Sequence, residues 1–295
     1  VHWKKVALIG VGLLGGSLGL ALKRRGLAER VVGFVRRPAS IRECQACGAV
    51  DEATLDLAQA VAGADLVVFC TPLSQMQGLV RQMLPALAPG ALVTDVGSVK
   101  ASVVAQVESM AAKAGAHFVG GHPMAGSEKT GVSASREDLF VNAVCVITPT
   151  AKSNRKAVAQ VERLWRMVGG CPLRVRAQAH DELVARSSHL PHVVAAGLAR
   201  GVLDPKHGKQ QAVLCATGFR DTTRVASGSP EMWRDIVLAN RKSLGRALNV
   251  FIKDLGRFRR AMERGDERAI TAFFAEAKQR RDLWAARGLA AKTVE

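Results

Sequence analysis

The chain contains no tyrosine, and aromatic residues make up only 4% of it; nine phenylalanines and four tryptophans are scattered along its length. Proteins that bind single-stranded nucleic acid stack bases on clustered aromatics, so this scarcity argues against that class. Only ten residues are proline and 23% are charged, against 48% apolar, which excludes a disordered or collagen-like chain. Six cysteines in 295 residues are too few for a disulfide scaffold. Cys44 and Cys47 form a C-x-x-C pair, but no second pair or histidine stands at zinc-ligand spacing, and no thioredoxin-like strand leads into it. They read as ordinary helix residues, and no metal site is expected. Long hydrophobic runs are missing too. Val6 to Leu22 is uncharged, follows Lys4-Lys5 and imitates a signal sequence. Its glycines at 10, 12, 15, 16 and 19 suit a strand, a turn and a helix better than a membrane span. A cytoplasmic location without a membrane partner is expected.

Negative charge is also scarce. Forty-two Lys and Arg face 25 Asp and Glu, a formal charge of +17. The excess is spread over both halves and does not form a basic tail. It suits small acidic substrates and phosphate-bearing cofactors, and no nucleic-acid partner is expected.

What is present is a regular alternation. Up to about residue 175, short apolar runs (Val6–Ile9, Arg30–Val35, Asp65–Cys70, Ala91–Asp95, His117–Gly120, Ala143–Thr148, Pro172–Arg176) alternate with helical patterns at Leu14–Arg25, Ser74–Leu87, Ala101–Ala114 and Lys156–Val168. Apolar strands separated by helices imply right-handed crossovers and an α/β, Rossmann-like, doubly wound, mostly parallel sheet. Beyond Ala179 strand alternation disappears. Val184–Val202, Met232–Met262 and Asp266–Ala286 have helical periodicity, so an all-α domain is expected at 179–295 after a nucleotide-binding domain at 1–178. Its long amphipathic helices are too apolar to fold alone as a compact bundle, and a homodimer through this domain is expected.

Gly10-Val-Gly12-Leu13-Leu14-Gly15 matches G-x-G-x-x-G, and its position after a strand and at the start of a helix gives the motif meaning. Gly10 permits the turn, Gly12 lets the backbone approach a pyrophosphate, and Gly15 lets helix and sheet pack closely. Leu13 and Leu14 in the motif, and Thr71-Pro72 at the end of a neighbouring strand, are further candidate cofactor contacts. The second strand ends Val35-Arg36-Arg37, where an NAD enzyme usually carries an acid for the ribose 2′-hydroxyl. Two guanidinium groups in its place favour a 2′-phosphate, hence NADP, with NAD as the alternative.

Candidate reacting residues lie at strand ends. Ser98 follows Thr94-Asp95, with Lys100 opening the next helix, where a cation opposes the helix dipole and calls for an anionic neighbour. His122 stands between Gly120-Gly121 and Pro123 on the cofactor side, with Ser127 and Glu128 just beyond. Ser188-His189-Leu-Pro-His192 and Gly218-Phe-Arg220-Asp221-Thr-Thr-Arg224 come from the helical half. His192 and His189 are either site groups or packed core. Arg224 either binds a substrate carboxylate or pairs with Asp221, and Glu128 is either a gate or a solvated charge. Trp233 reads as core or interface.

Taken in order, Gly10–Gly15, Asp95–Lys100, Gly121–Gly131, Ser188–His192, Gly218–Arg224 and Met232-Trp-Arg-Asp-Ile236 make the chain resemble the prephenate/arogenate dehydrogenase family of tyrosine biosynthesis over nearly its whole length. The resemblance implies a Rossmann-like domain, an α-helical dimerisation domain and oxidative decarboxylation of a cyclohexadienyl acid. It implies that His122 acts on the ring hydroxyl with Ser98 nearby, and that Arg224 binds a substrate carboxylate. His192 and Ser127-Glu128 would line the entrance. The arginine pair resembles that of NADP-using arogenate enzymes, so arogenate is expected, with prephenate or both substrates as the alternative. Two rivals are a β-hydroxyacid dehydrogenase, which would need a catalytic lysine in the helical domain, and a non-catalytic NADP-binding sensor. With the glycine motif at residue 10 and helical pattern almost to Glu295, no fused mutase or regulatory domain is expected.

Overall fold

The computed structural model describes residues 2–292. The chain runs β1 (Trp3–Ile9), α1 (Leu13–Arg24), β2 (Ala28–Phe34), α2 (Pro38–Ala46), β3 (Glu52–Thr54), α3 (Leu57–Val61), β4 (Leu66–Phe69) and α4 (Leu73–Met83). It continues β5 (Leu92–Asp95), α5 (Ala101–Lys113), β6 (His117–Pro123), β7 (Val144–Thr148), α6 (Arg155–Met167) and β8 (Cys171–Arg174). The sheet has the order β3-β2-β1-β4-β5-β6-β7-β8. All neighbouring pairs are parallel except β6 with β7, where His122 lies opposite Val146. The order reverses between β1 and β4, and in such sheets ligands bind outside the strand ends at that reversal.

Both faces of the sheet are covered, which is why its strands read as unbroken apolar runs. Val6, Leu8, Leu66 and Val68 face a cluster closed by Leu18 and Leu22 of α1 and by Val161, Leu164 and Trp165 of α6. Ala7, Ile9, Val67 and Phe69 face the opposite cluster, closed by Met76 and Val80 of α4 and Val104 and Val107 of α5. Full burial of each Leu or Ile contributes roughly 1.5–3 kcal/mol. Helix starts are set locally. Asp56 accepts from the Ala58 and Gln59 amides at α3, and Asn154 accepts from Lys156 and Ala157 at α6.

After β8 every element is helical: α7 (Ala177–Val184), a π-helical turn (Ala185–His189), α8 (Leu190–Val202), α9 (Gly208–Val213), α10 (Thr217–Thr223), α11 (Pro230–Ala239), α12 (Arg241–Glu263) and α13 (Glu267–Lys292). Three details depart from the periodicity. β3 is an edge strand of three residues, too short to give an apolar run. The pattern from Met232 to Met262 is two helices, broken at Asn240, whose side chain is buried in hydrogen bonds to other elements. The segment before Pro191 widens into a π turn, a deviation common at functional sites.

The chain divides into two compact units, Val1–Leu244 and Gly245–Glu295. In the second, Gly265 takes a positive φ of 64° and Asp266 caps the Ala269 amide at 2.9 Å, turning the chain between two helical segments. Phe258 packs on Phe273 at a ring-centroid distance of 4.7 Å. Val250, Ile252, Met262, Phe274 and Trp284 remain more than half exposed. Among the described residues no helix is long and apolar enough to cross a membrane.

Candidate active site

At the β1–β4 reversal, Gly10 adopts φ 97°, and a Cβ there would lie 2.9 Å from the Thr71 methyl. A Cβ on Gly15 would lie 2.1 Å from the Gly10 carbonyl oxygen. Both positions therefore require glycine for packing. Gly12 differs: a Cβ there would meet nothing within 4 Å, so its backbone borders open space at the start of α1. No side chain caps α1, and its first turn contains no acid, which leaves its N–H groups available for an anion. One cleft is lined by Gly10, Gly12, Arg36, Arg37, Thr71 and Pro72, together with Ser40 and Glu43. Thr71 Oγ1 is buried there without a hydrogen-bond partner among the described residues. Arg36 and Arg37 are exposed, and neither guanidinium is paired among the described residues. An open glycine backbone, an orphaned hydroxyl and two free cations fit a phosphate-rich dinucleotide. Leu13 and Leu14 do not line this cleft; they pack against the core cluster beneath α1.

The second part of the site is built at the ends of β5 and β6. Asp95 and Lys100 are both fully buried and form an ion pair. Lys100 Nζ also donates to the Gly121 carbonyl at 2.8 Å, and Asp95 accepts from the Gly121 amide at 3.0 Å and the Gly97 amide at 2.9 Å. The pair thus ties the turn carrying Ser98 to the strand carrying His122. Burial draws the Lys100 pKa down, while Asp95 and Asp181 oppose that fall. These two carboxylates are the anionic neighbours that a lysine at a helix start calls for.

His122 is 7% exposed. Its Nδ1 lies 2.8 Å from Nε2 of His180, and His180 Nδ1 lies 2.8 Å from Asp181 Oδ1. Asp181 also accepts from the backbone amides of Lys100 at 2.7 Å and Ala101 at 2.9 Å, so a carboxylate from α7 caps α5. Burial first, then the neighbouring His180, Lys100 and His189, hold the His122 pKa well below 6.5. The imidazole is therefore neutral at physiological pH and able to accept a proton. Ser98 is half-buried on the same side of the sheet, and among the described residues it makes no side-chain hydrogen bond to His122.

The helical half contributes a third group of residues. Arg224 Nη1 donates to Glu128 Oε2 at 2.8 Å, whereas Asp221 lies 3.9 Å from Arg220. Glu128 is held below the usual carboxylate range by its own backbone N–H and then by Arg224. Ser127 accepts from the Lys129 amide at 3.2 Å in the exposed loop after β6. His192 Nδ1 bonds the Ser188 carbonyl at 2.9 Å, and its ring stacks on Trp233 with centroids 3.9 Å apart. His189 is fully buried. Its Nδ1 takes a hydrogen bond from Asn240, and its Nε2 has no partner among the described residues.

His180, Asp181 and Asn240 escaped sequence reasoning. A His-Asp dipeptide in the first half of a helix looks like a solvated face, and an asparagine inside a helical pattern looks like a surface residue. Their one signal was the Lys100 conflict, which called for a carboxylate without saying which.

A doubly wound sheet with an anion-ready glycine turn at its reversal, and a buried neutral histidine three strands away, defines a nucleotide-dependent dehydrogenase. Comparison with known proteins narrows the class. Residues 18–172 match the family described as prephenate dehydrogenase, nucleotide-binding domain, and residues 176–276 match prephenate dehydrogenase, dimerization domain. Prephenate dehydrogenase of Bacillus subtilis is 34% identical, over 94% of this chain and 75% of its own. Cyclohexadienyl dehydrogenase of Zymomonas mobilis is also 34% identical, over 95% of both chains. The crystal structure of prephenate dehydrogenase from A. aeolicus, in complex with hydroxyphenyl propionate and NAD+, superposes with a TM-score of 0.88 at 32% identity, covering 95% of this chain and 98% of that one. The chain belongs to the prephenate dehydrogenase family, and it is an oxidoreductase.

Proposed function

We propose that the chain is an NADP-preferring arogenate dehydrogenase, acting as a homodimer, that converts L-arogenate to L-tyrosine by oxidative decarboxylation. The observation that carries this reading is the buried, neutral His122 at the end of β6, with its Nδ1 engaged by His180 and its Nε2 free of any partner among the described residues. Gly10, Gly12, Thr71, Arg36 and Arg37 would hold the dinucleotide, whose nicotinamide supplies the hydride acceptor. The substrate ring carries a C4 hydroxyl and a C1 carboxylate. His122 takes the hydroxyl proton as C4 gives up a hydride. The C1–carboxylate bond then breaks, CO2 leaves, and its electron pair completes the aromatic ring, so the step does not reverse. Ser98 serves as a second partner for the hydroxyl, and Arg224 and His192 hold the acid. The protein's part is to hold these atoms at reacting distance.

Arogenate carries an ammonium where prephenate carries a keto group. The Glu128–Arg224 pair offers a carboxylate to that ammonium and a guanidinium to a carboxylate, which supports the amino acid as substrate. The arginine pair at the end of β2 supports the 2′-phosphate cofactor. We take 1–178 as the nucleotide-binding part and 179–295 as the substrate and dimerisation part. The exposed apolar side chains of the last helices, and the dimerization description matched by residues 176–276, support the homodimer. Similarity to the prephenate dehydrogenase of Bacillus subtilis favours a second reading, prephenate dehydrogenase with 4-hydroxyphenylpyruvate as product. A four-way assay of kcat/KM separates the two: prephenate and arogenate, each with NAD and NADP. The highest value is expected for arogenate with NADP. A higher value for prephenate with either cofactor would transfer the assignment to the second reading, and no turnover in any arm would leave a nucleotide-binding sensor.

A further inference from the structure

His122 has two nitrogens, and only one can be the base. A neutral imidazole exposes a lone pair on one nitrogen and carries a hydrogen on the other, and the partner of the second decides which is which. The order of the hydrogen bonds behind His122 fixes the answer. Asp181 already accepts at both oxygens, from the amides of Lys100 and Ala101. A carboxylate facing two N–H donors in a buried pocket is an acceptor for a third. His180 Nδ1, 2.8 Å from Asp181 Oδ1, therefore carries the hydrogen, and its Nε2 carries the lone pair. That lone pair lies 2.8 Å from His122 Nδ1, which must then be the N–H. The ring centroids lie 5.1 Å apart and the ring planes are inclined at 77°, an inclination that an N–H aimed at an in-plane lone pair allows.

We propose that His180 and Asp181 are positioning residues that lock His122 as its Nδ1–H tautomer and so present Nε2 as the only lone pair able to take the substrate proton. The inference rests on the reading of His122 as base and adds the element that makes it one. A free histidine side chain prefers the opposite tautomer, with the hydrogen on Nε2, so without this chain the base would face the substrate with a hydrogen in the way. The same chain stabilises the charge that forms. Once Nε2 is protonated, the imidazolium donates through Nδ1 to His180, whose own N–H is held by the Asp181 carboxylate, and no proton need leave either residue. The groups that act on the charge of His122 are His180, Lys100 at the start of α5 and His189 from the π turn, and the Asp181 carboxylate lies against His180. Lys100 opposes a second positive charge on His122, which makes the Asp181 carboxylate the compensating group.

Anchoring is built in on every side. His180 is 1% exposed and Asp181 3% exposed. The Asp181 carbonyl is held by Asn240 Nδ2 at 2.8 Å, so the break between α11 and α12 supports the same residue. The chain is assembled from three separate parts of the sequence, β6, α7 and the end of α11.

The test is the protonation pattern of His122, read by 15N–1H correlation spectroscopy of imidazole-labelled full-length protein with NADP, using His122→Asn to assign the signals. At neutral pH Nδ1 should have the chemical shift of a protonated nitrogen and Nε2 that of an unprotonated one. The reverse pattern in the wild-type protein overturns the proposal, whatever the variants do. His180→Phe should return His122 to the Nε2–H form and lower kcat about 10²–10⁴-fold, the range for loss of a general base, with KM changed little. His180→Gln keeps an acceptor for His122 and a donor for Asp181, and should retain the Nδ1–H signal and kcat within about tenfold of wild type. Equal losses in the Gln and Phe variants, with the wild-type tautomer kept in both, would assign His180 a packing role and refute the lock. Full turnover in His122→Asn would instead defeat the reading of His122 as base, while the wild-type spectrum still reports the tautomer.

Discussion

Replacing Lys100 with methionine tests the architecture beneath the site. The methionine fills much of the same volume, so the main change is removal of the ammonium. Asp95 would then be a fully buried carboxylate with two backbone amides, those of Gly97 and Gly121, as its remaining partners. The Gly121 carbonyl would lose its 2.8 Å partner as well. Removing one member of a buried ion pair typically costs about 3–5 kcal/mol, because the remaining charge stays out of water uncompensated. An exposed pair provides the contrast: Lys278 and Asp282 lie 2.6 Å apart on one face of α13, and Lys278→Met should cost less than about 1 kcal/mol. Urea unfolding followed by tryptophan fluorescence, at fixed protein concentration, reads both as shifts of midpoint at constant slope. Because Gly121 precedes His122, kcat should fall in the folded Lys100→Met protein too. A cost below about 1 kcal/mol for Lys100→Met, equal to that of Lys278→Met, would refute the claim that the buried pair holds the two strand ends together.

Three further predictions concern ligands and pH. Arg36→Ala should weaken NADP about 10–100-fold, the worth of a charged hydrogen bond, and leave NAD nearly unchanged in a fluorescence titration; equal losses would remove the 2′-phosphate role. Arg224→Ala should raise KM about 10–100-fold with kcat changed little, and a large fall in kcat at constant KM would place this side chain in the chemical step instead. His122 acts in its neutral form, and burial lowers its pKa, so falling pH protonates it later than an ordinary histidine. The acid limb of the kcat/KM profile should therefore lie below pH 6.5, and a limb above that value contradicts the assigned base.

Much of this molecule can be read before any coordinates, and the reason differs between parts. The sheet is legible because burial on both faces forces continuous apolar runs, and the glycine turn is legible because Gly10 and Gly15 have no room for a Cβ. His122 is legible from its place at a strand end between glycines and a proline. The pairing of Arg224 with Glu128 rather than Asp221 is not, since 96 residues separate the two and only the fold brings the turn after α10 to the loop after β6. His180 and Asp181 are hidden for a related reason. Their function depends on partners 58 and 81 residues away in sequence, and nothing in a helical heptad distinguishes a buried His-Asp from a solvated one. The break at Asn240 is invisible to periodicity, because an amide that bonds two other elements looks like any polar helix residue.

Stopped-flow measurement of NADPH formation in a single turnover, comparing wild type with His122→Asn at saturating arogenate, addresses the base most directly. The rate should drop about 10²–10⁴-fold while the Kd for NADP stays within about twofold. An undiminished rate, or a loss traced wholly to weaker cofactor binding, would contradict the role given to His122.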